Sequence, residues 1–118
     1  MEYTVKLREL IEKLNLTVRS AKSNLDCEVT RGYASDLLSD VLANSEEGDL
    51  WITLQVHQNI VAVASMKNLA GIILVNGREP EDDAVEKAEA ENIVIMVTEM
   101  PTFEIVGRLY NLGVTGMK

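Results

Sequence analysis

Cysteine occurs once, at Cys27, which excludes an internal disulfide and any cysteine-cluster metal site. Long apolar runs are missing too. None nears the roughly 20 residues that span a bilayer, so no membrane partner is expected. The N-terminus, MEYTVKLREL, lacks the basic-then-apolar layout of a secretory signal, and we expect a cytoplasmic protein. Basic residues are outnumbered, 11 against 19 acidic, and the net charge of −8 argues against nucleic acid as partner. No GxxxxGK(S/T) loop, GxGxxG fingerprint, GxSxG elbow or HExxH pair is present. Neither a metal nor a cofactor is expected.

What is there is globular. Of 118 residues, 47% are hydrophobic and 25% charged, which suits one core and one domain over residues 1–118. The spacing of Val5, Leu7, Leu10, Ile11 and Leu14 predicts a helix over Thr4–Leu14, with Thr4 as N-cap and Asn15 as stop. Leu16–Arg19 and Cys27–Thr30 read as short strands around a turn at Ser23–Asp26. Gly32–Ser35 reads as a glycine turn into a helix over Asp36–Ala43. Ser35 or Asp36 would cap it, with Leu37, Leu38, Val41 and Leu42 facing the core.

Beyond Ala43 the pattern becomes regular. Strands are predicted at Leu50–Leu54, Gly71–Val75 and Ile93–Val97, and helices at Asn59–Met66, Glu81–Glu91 and Thr102–Leu112. Pro80 suits the start of the second of these helices, and Gly113 the end of the third. The near-continuous apolar runs fit strands covered on both faces. Starts at 50, 71 and 93, about 21 and 22 residues apart, fit parallel strands joined by right-handed crossovers. The expected fold is α/β: a single layered domain with a mainly parallel central sheet and flanking helices. Trp51 and Phe103 are spaced like core residues, and Cys27 reads as a structural cysteine.

In such a sheet, ligands collect beyond the carboxyl ends of the strands, where helix N-termini offer free N–H groups. Three loops fall there: Gln55–Asn59, Asn76–Glu79 and Thr98–Thr102. The candidate ligand-binding residues are Thr53, Gln55, His57, Asn59, Asn76, Gly77, Arg78 and Thr98. Their donors suit a small polar or anionic ligand, such as a nucleotide or phosphorylated small molecule. The same residue types also serve simply as helix caps. Histidine titrates near neutrality, so His57 would strengthen anion binding as pH falls. As a catalytic base it would need an orienting partner that the sequence does not identify. The acidic group Glu79, Glu81, Asp82 and Asp83 reads as a solvated helix start. The edges of a small sheet must be covered or paired, which favours a two-fold dimer; Tyr33 and Asp36 are the expected contact.

Three segments resemble a known family: Gly32-Tyr33-Ala34-Ser35-Asp36-Leu37-Leu38-Ser39-Asp40, Gly48-Asp49-Leu50-Trp51-Ile52-Thr53, and Gly71-Ile72-Ile73-Leu74-Val75-Asn76-Gly77-Arg78-Glu79-Pro80. Together they look like a DRTGG domain, and the similarity runs through nearly the whole chain. The resemblance implies the fold of the N-terminal domain of HPr kinase/phosphorylase, without the separate kinase domain that carries its phosphate loop. It also implies a regulatory role, since members sit in phosphotransacetylases and beside CBS domains in regulated pyrophosphatases. Self-association is implied as well, and stand-alone relatives accompany iron-only hydrogenase genes. Two positions depart from the pattern. Val56-His57 stands where many members have Asp-Arg, making His57 the candidate substitute for the arginine, and Asn76 replaces the first glycine of the Gly-Gly pair.

Taken together, these features predict a stand-alone, non-catalytic, ligand-sensing module acting as a homodimer. The alternatives are an interaction subunit that docks on a metabolic enzyme, such as a hydrogenase-associated one, without a small-molecule ligand, and a small enzyme using His57.

Overall fold

The computed structural model describes residues 4–117. In chain order it runs β1 (Val5–Lys6), α1 (Leu7–Leu14), β2 (Thr17–Val18), β3 (Glu28–Val29), β4 (Arg31–Ala34), α2 (Leu38–Asn44), β5 (Asp49–Thr53), α3 (Asn59–Lys67), β6 (Gly71–Leu74), α4 (Asp82–Glu91), β7 (Ile95–Val97) and α5 (Thr102–Asn111). The main sheet has the order β2-β7-β6-β5-β4, and β1 and β3 pair separately. Strands β4 to β7 are parallel neighbours, whereas β2 lies antiparallel to β7. The fold is α/β, with a mostly parallel sheet between layers of helices. No helix among the described residues is long and apolar enough to cross a membrane.

Side chains alternate across the sheet and feed two cores, so the central strands are apolar at nearly every position. Leu50, Ile52, Ile73 and Met96 meet Leu7, Leu10 and Leu14 of α1 and Ile105 and Leu109 of α5. Trp51, Ile72, Leu74, Ile95 and Val97 meet α2, α3 and α4 on the opposite face. Strand order advances one way from β4 to β7, so right-handed crossovers stack those three helices on one side. Helices α1, α3 and α4 end in Asn15, Asn68 and Asn92, each with a left-handed backbone. Asparagine here fills the position that glycine usually takes at a helix end.

Four expectations are corrected. The first helix begins at Leu7, because Val5 and Lys6 pair with Val29 and Glu28. Thr4 therefore caps nothing; the first-turn amides of Leu7 and Arg8 donate to the carbonyls of Cys27 and Leu25. Second, the supposed glycine turn is β4, an edge strand in register with β5, Arg31 facing Asp49 and Tyr33 facing Trp51. Third, α2 starts at Leu38 with no side-chain cap, and Leu37 and Leu42 are exposed. It lies at the margin of the helix layer, where only Val41 is fully buried. Fourth, Phe103 is 93% exposed, because α5 turns Ile105 and Leu109 inward instead. Trp51 is buried as expected, and its indole N–H donates to the Ser35 carbonyl. Pro80 precedes α4 by two residues, with Glu81 at the cap position.

Candidate functional site

The carboxyl ends of β4 to β7 face one edge of the sheet, and the loops leaving them are tied into a continuous rim. At one side, the Asp36 carboxylate accepts from the Thr53 hydroxyl at 2.9 Å and from the Leu54 N–H at 2.7 Å. The Gln55 side-chain amide donates to the Asp36 carbonyl, and the Gln55 N–H to the Thr53 hydroxyl. Next along the rim, the Glu81 N–H donates to the Val56 carbonyl. Beyond it, the N–H groups of Asn76 and Gly77 donate to the carbonyls of Met100 and Thr98.

Asn76 and Gly77 have φ of 59° and 69°, and the Arg78 N–H closes back on the Val75 carbonyl at 3.1 Å. Two successive positive φ angles within such a bond make a type I′ turn, for which Asn-Gly is a preferred pair. The turn explains both residue identities without a ligand. Their amides, expected to be free for an anion, are bonded to the neighbouring loop. Arg78 is exposed, and its guanidinium makes no hydrogen bond or ion pair among the described residues. His57 is exposed too, and its Nδ1 accepts from the Asn59 N–H at a long 3.4 Å. Thr98 is buried, its hydroxyl accepting from the Met100 N–H.

At the β7 side of this edge lies a cavity of about 350 Å³, lined by Leu14, Asn15, Thr17, Arg19, Gly77, Glu79, Val97, Thr98, Glu99 and Met100. It brings together Gly77 and Thr98 from the expected set. Thr53, Gln55, His57, Asn59, Asn76 and Arg78 lie outside its walls. The wall that sequence reasoning missed comes from the end of α1 and from β2, where Arg19 reaches Glu79 in a bidentate pair of 2.8 and 2.9 Å. Hydrogen bonding from Arg19 holds the Glu79 carboxyl below its usual range and, in return, raises the arginine. Glu79 therefore belongs to an ion pair, unlike the solvated run Glu81, Asp82 and Asp83 beside it. The Glu99 carboxylate sits over Gly77, in the space that a Cβ would take.

Chemically, this rim can bind through hydrogen bonds and charge. No group of three or more His, Cys, Asp or Glu side chains is placed to hold a metal among the described residues. Cys27 lies at the other end of the sheet, half-buried, with Sγ 3.5 Å from the Ala70 carbonyl. Burial pushes its thiol up, which disfavours the reactive thiolate. Tyr33 and Asp36 both make intramolecular bonds, the Tyr33 hydroxyl donating to Asp40 at 2.8 Å.

No protein-family model matches the sequence, and no curated protein does. A solved structure of similar fold holds the CBS and DRTGG domains of the regulatory region of a Clostridium perfringens pyrophosphatase, complexed with its activator diadenosine tetraphosphate. The two superpose with a TM-score of 0.69 at 18% identity, over 88% of this chain and 45% of that one. The chain thus spans less than half the length of that structure, and what the two share is an α/β fold of the CBS and DRTGG kind.

Proposed function

We propose that this chain is a DRTGG-like regulatory module over residues 1–118, non-catalytic, which senses a nucleotide or another anionic metabolite and works as a homodimer. The observation that carries the reading is Arg78. Its guanidinium stands exposed and unpaired among the described residues, on a turn whose backbone is fixed to the next loop. An arginine on a fixed backbone, its guanidinium left without an internal partner, suits a phosphate or carboxylate, which arginine grips in two bonds. The likeness in fold to a regulatory region crystallised with a dinucleotide activator supports the same class of ligand. On the same edge of the sheet, the N-terminus of α5 at Thr102 would add further donors.

A thermal-stabilisation screen over nucleotides and phosphorylated metabolites tests this. A ligand at 100 times its Kd adds about 2.7 kcal/mol to stability. The Arg78→Ala variant should lose the shift, and Lys67→Ala, at the opposite end of α3, should keep it. No shift with any compound would sink the sensing role and favour the alternative, an interaction subunit for a metabolic enzyme.

A further inference from the structure

The β2–β7 ladder stops one rung short of where its register would carry it. Thr17 lies opposite Val97, and the Arg19 N–H donates to the Ile95 carbonyl. Asn15 and Glu99 would therefore form the next hydrogen-bonded pair. Asn15 instead ends α1 with a left-handed backbone, its N–H turned to the Glu12 carbonyl. The chain swings aside, and the cavity of about 350 Å³ opens where that rung is missing. Its walls keep polar groups unspent. The Glu99 carboxylate and N–H, the Asn15 side-chain amide and the Thr17 hydroxyl make no hydrogen bond among the described residues. The Glu99 carboxylate is seated over Gly77, in the space that any Cβ would take. Arg19, the cation of these walls, is already held by Glu79 in two bonds. Two carboxylates thus face one guanidinium, and Glu99 is the charge left over.

We propose that this cavity binds a small organic ammonium, a primary aliphatic amine in its protonated form. An ammonium brings three N–H donors and no acceptor. The Glu99 carboxylate, the Thr17 hydroxyl and the Asn15 side-chain carbonyl offer it oxygen, and only Glu99 offers charge. Leu14, Val97 and Met100 supply apolar wall for the aliphatic body. The volume falls at the lower end of small-molecule sites, which run from about 300 to 1,000 Å³, and is more than a bare ion fills. An anion is disfavoured, since it would meet the Glu99 carboxylate and find Arg19 occupied. The net charge of −8 also favours a cation over an anion. This site takes the opposite charge from the one proposed for Arg78, whose side chain is no part of these walls.

An amide-resolved NMR titration of the full chain with n-butylammonium chloride tests this. Saturable shifts should centre on Thr17, Gly77, Thr98 and Glu99, and sodium chloride at the same concentration should not reproduce them. Glu99→Gln should weaken binding about tenfold or more, because the amide keeps the shape and loses the charge. Glu91→Gln, at the far end of α4, should leave binding unchanged, and so should Arg78→Ala. The neutral n-butanol should bind about tenfold more weakly than the ammonium. Shifts that are absent, or scattered over the acidic surface as with salt, overturn the site. Glu99→Gln binding as well as the wild type overturns the role of the carboxylate. Butanol binding as tightly as butylammonium makes the cavity an apolar hole and overturns the ammonium.

Discussion

Arg31 and Asp49 face each other across the β4–β5 ladder and join in two parallel hydrogen bonds, of 2.8 and 2.7 Å. The Asp49 side chain is fully buried, and only 11% of the Arg31 side chain is exposed. Asp49 also accepts from the Glu46 N–H, and Arg31 donates to the Asn44 carbonyl. The pair therefore fastens the short edge strand, the end of α2 and the start of β5 at one point. Breaking such a pair strands a buried charge, so Asp49→Asn should cost about 3 kcal/mol. In a double-mutant cycle with Arg31→Met, urea unfolding should show the paired loss smaller than the sum of the single losses. Additivity within about 0.3 kcal/mol would show that the two residues act independently.

The Asn76-Gly77 turn makes a second prediction. Alanine at Gly77 would adopt a left-handed backbone at about 1–2 kcal/mol and would press its Cβ onto the Glu99 carboxylate. Asn76→Gly should leave stability within about 0.5 kcal/mol, since glycine accepts the same φ. Urea midpoints check both; an unchanged Gly77→Ala protein would mean that the turn opens without cost.

Acid should weaken the fold from a defined direction. Hydrogen bonds from Arg8, Tyr33 and Arg19 hold Asp26, Asp40 and Glu79 below the ordinary values of 3.8 for aspartate and 4.5 for glutamate. Carboxyls depressed in the folded state contribute stability above those ordinary values and lose it as pH falls through the lower, folded ones. The urea midpoint should therefore hold steady from neutrality to about pH 5 and decline below about pH 4. All three groups are largely solvent-facing, so the decline is gradual. A midpoint that stays flat into strong acid refutes this account.

How much of this was legible in the sequence follows from burial. Strands β5, β6 and β7 have solvent on neither face, so their apolar runs are continuous and their spacing is regular. β4 has no such run: its Arg-Gly-Tyr-Ala sequence belongs to an edge, where pairing shows only through the partner strand. At the site, the carboxyl-edge loops could be placed from the strand–helix alternation alone. The Arg19 wall could not, because its neighbours Gly77 and Glu79 lie some sixty residues further along the chain. Phe103 was misplaced for another reason. Periodicity shows that residues share a face, and α5 has two apolar faces, of which only one belongs to the core.

The antiparallel pairing of β2 with β7 bears on how the chain gets to its fold. Thr17 lies opposite Val97, 80 residues away (97 − 17), whereas the parallel pairs Arg31–Asp49, Leu50–Gly71 and Ile72–Ile95 close spans of 18, 21 and 23 residues (49 − 31, 71 − 50 and 95 − 72). Two doublings of span add roughly 1.2 kcal/mol of closure entropy, and β2 returns only a two-residue ladder. We predict that β4 to β7 assemble first, and that the α1–β2 segment arrives last and opens first. Amide exchange should then release the Arg19 N–H, bonded to Ile95, well before the Ile73 N–H at the centre of the sheet. Equal protection of the two amides would contradict that order. Asn15, Thr17 and Arg19 wall the 350 Å³ cavity, so the cavity exists only once the slowest seam of the chain has closed. A molecule lodged there would act as a clasp on that seam.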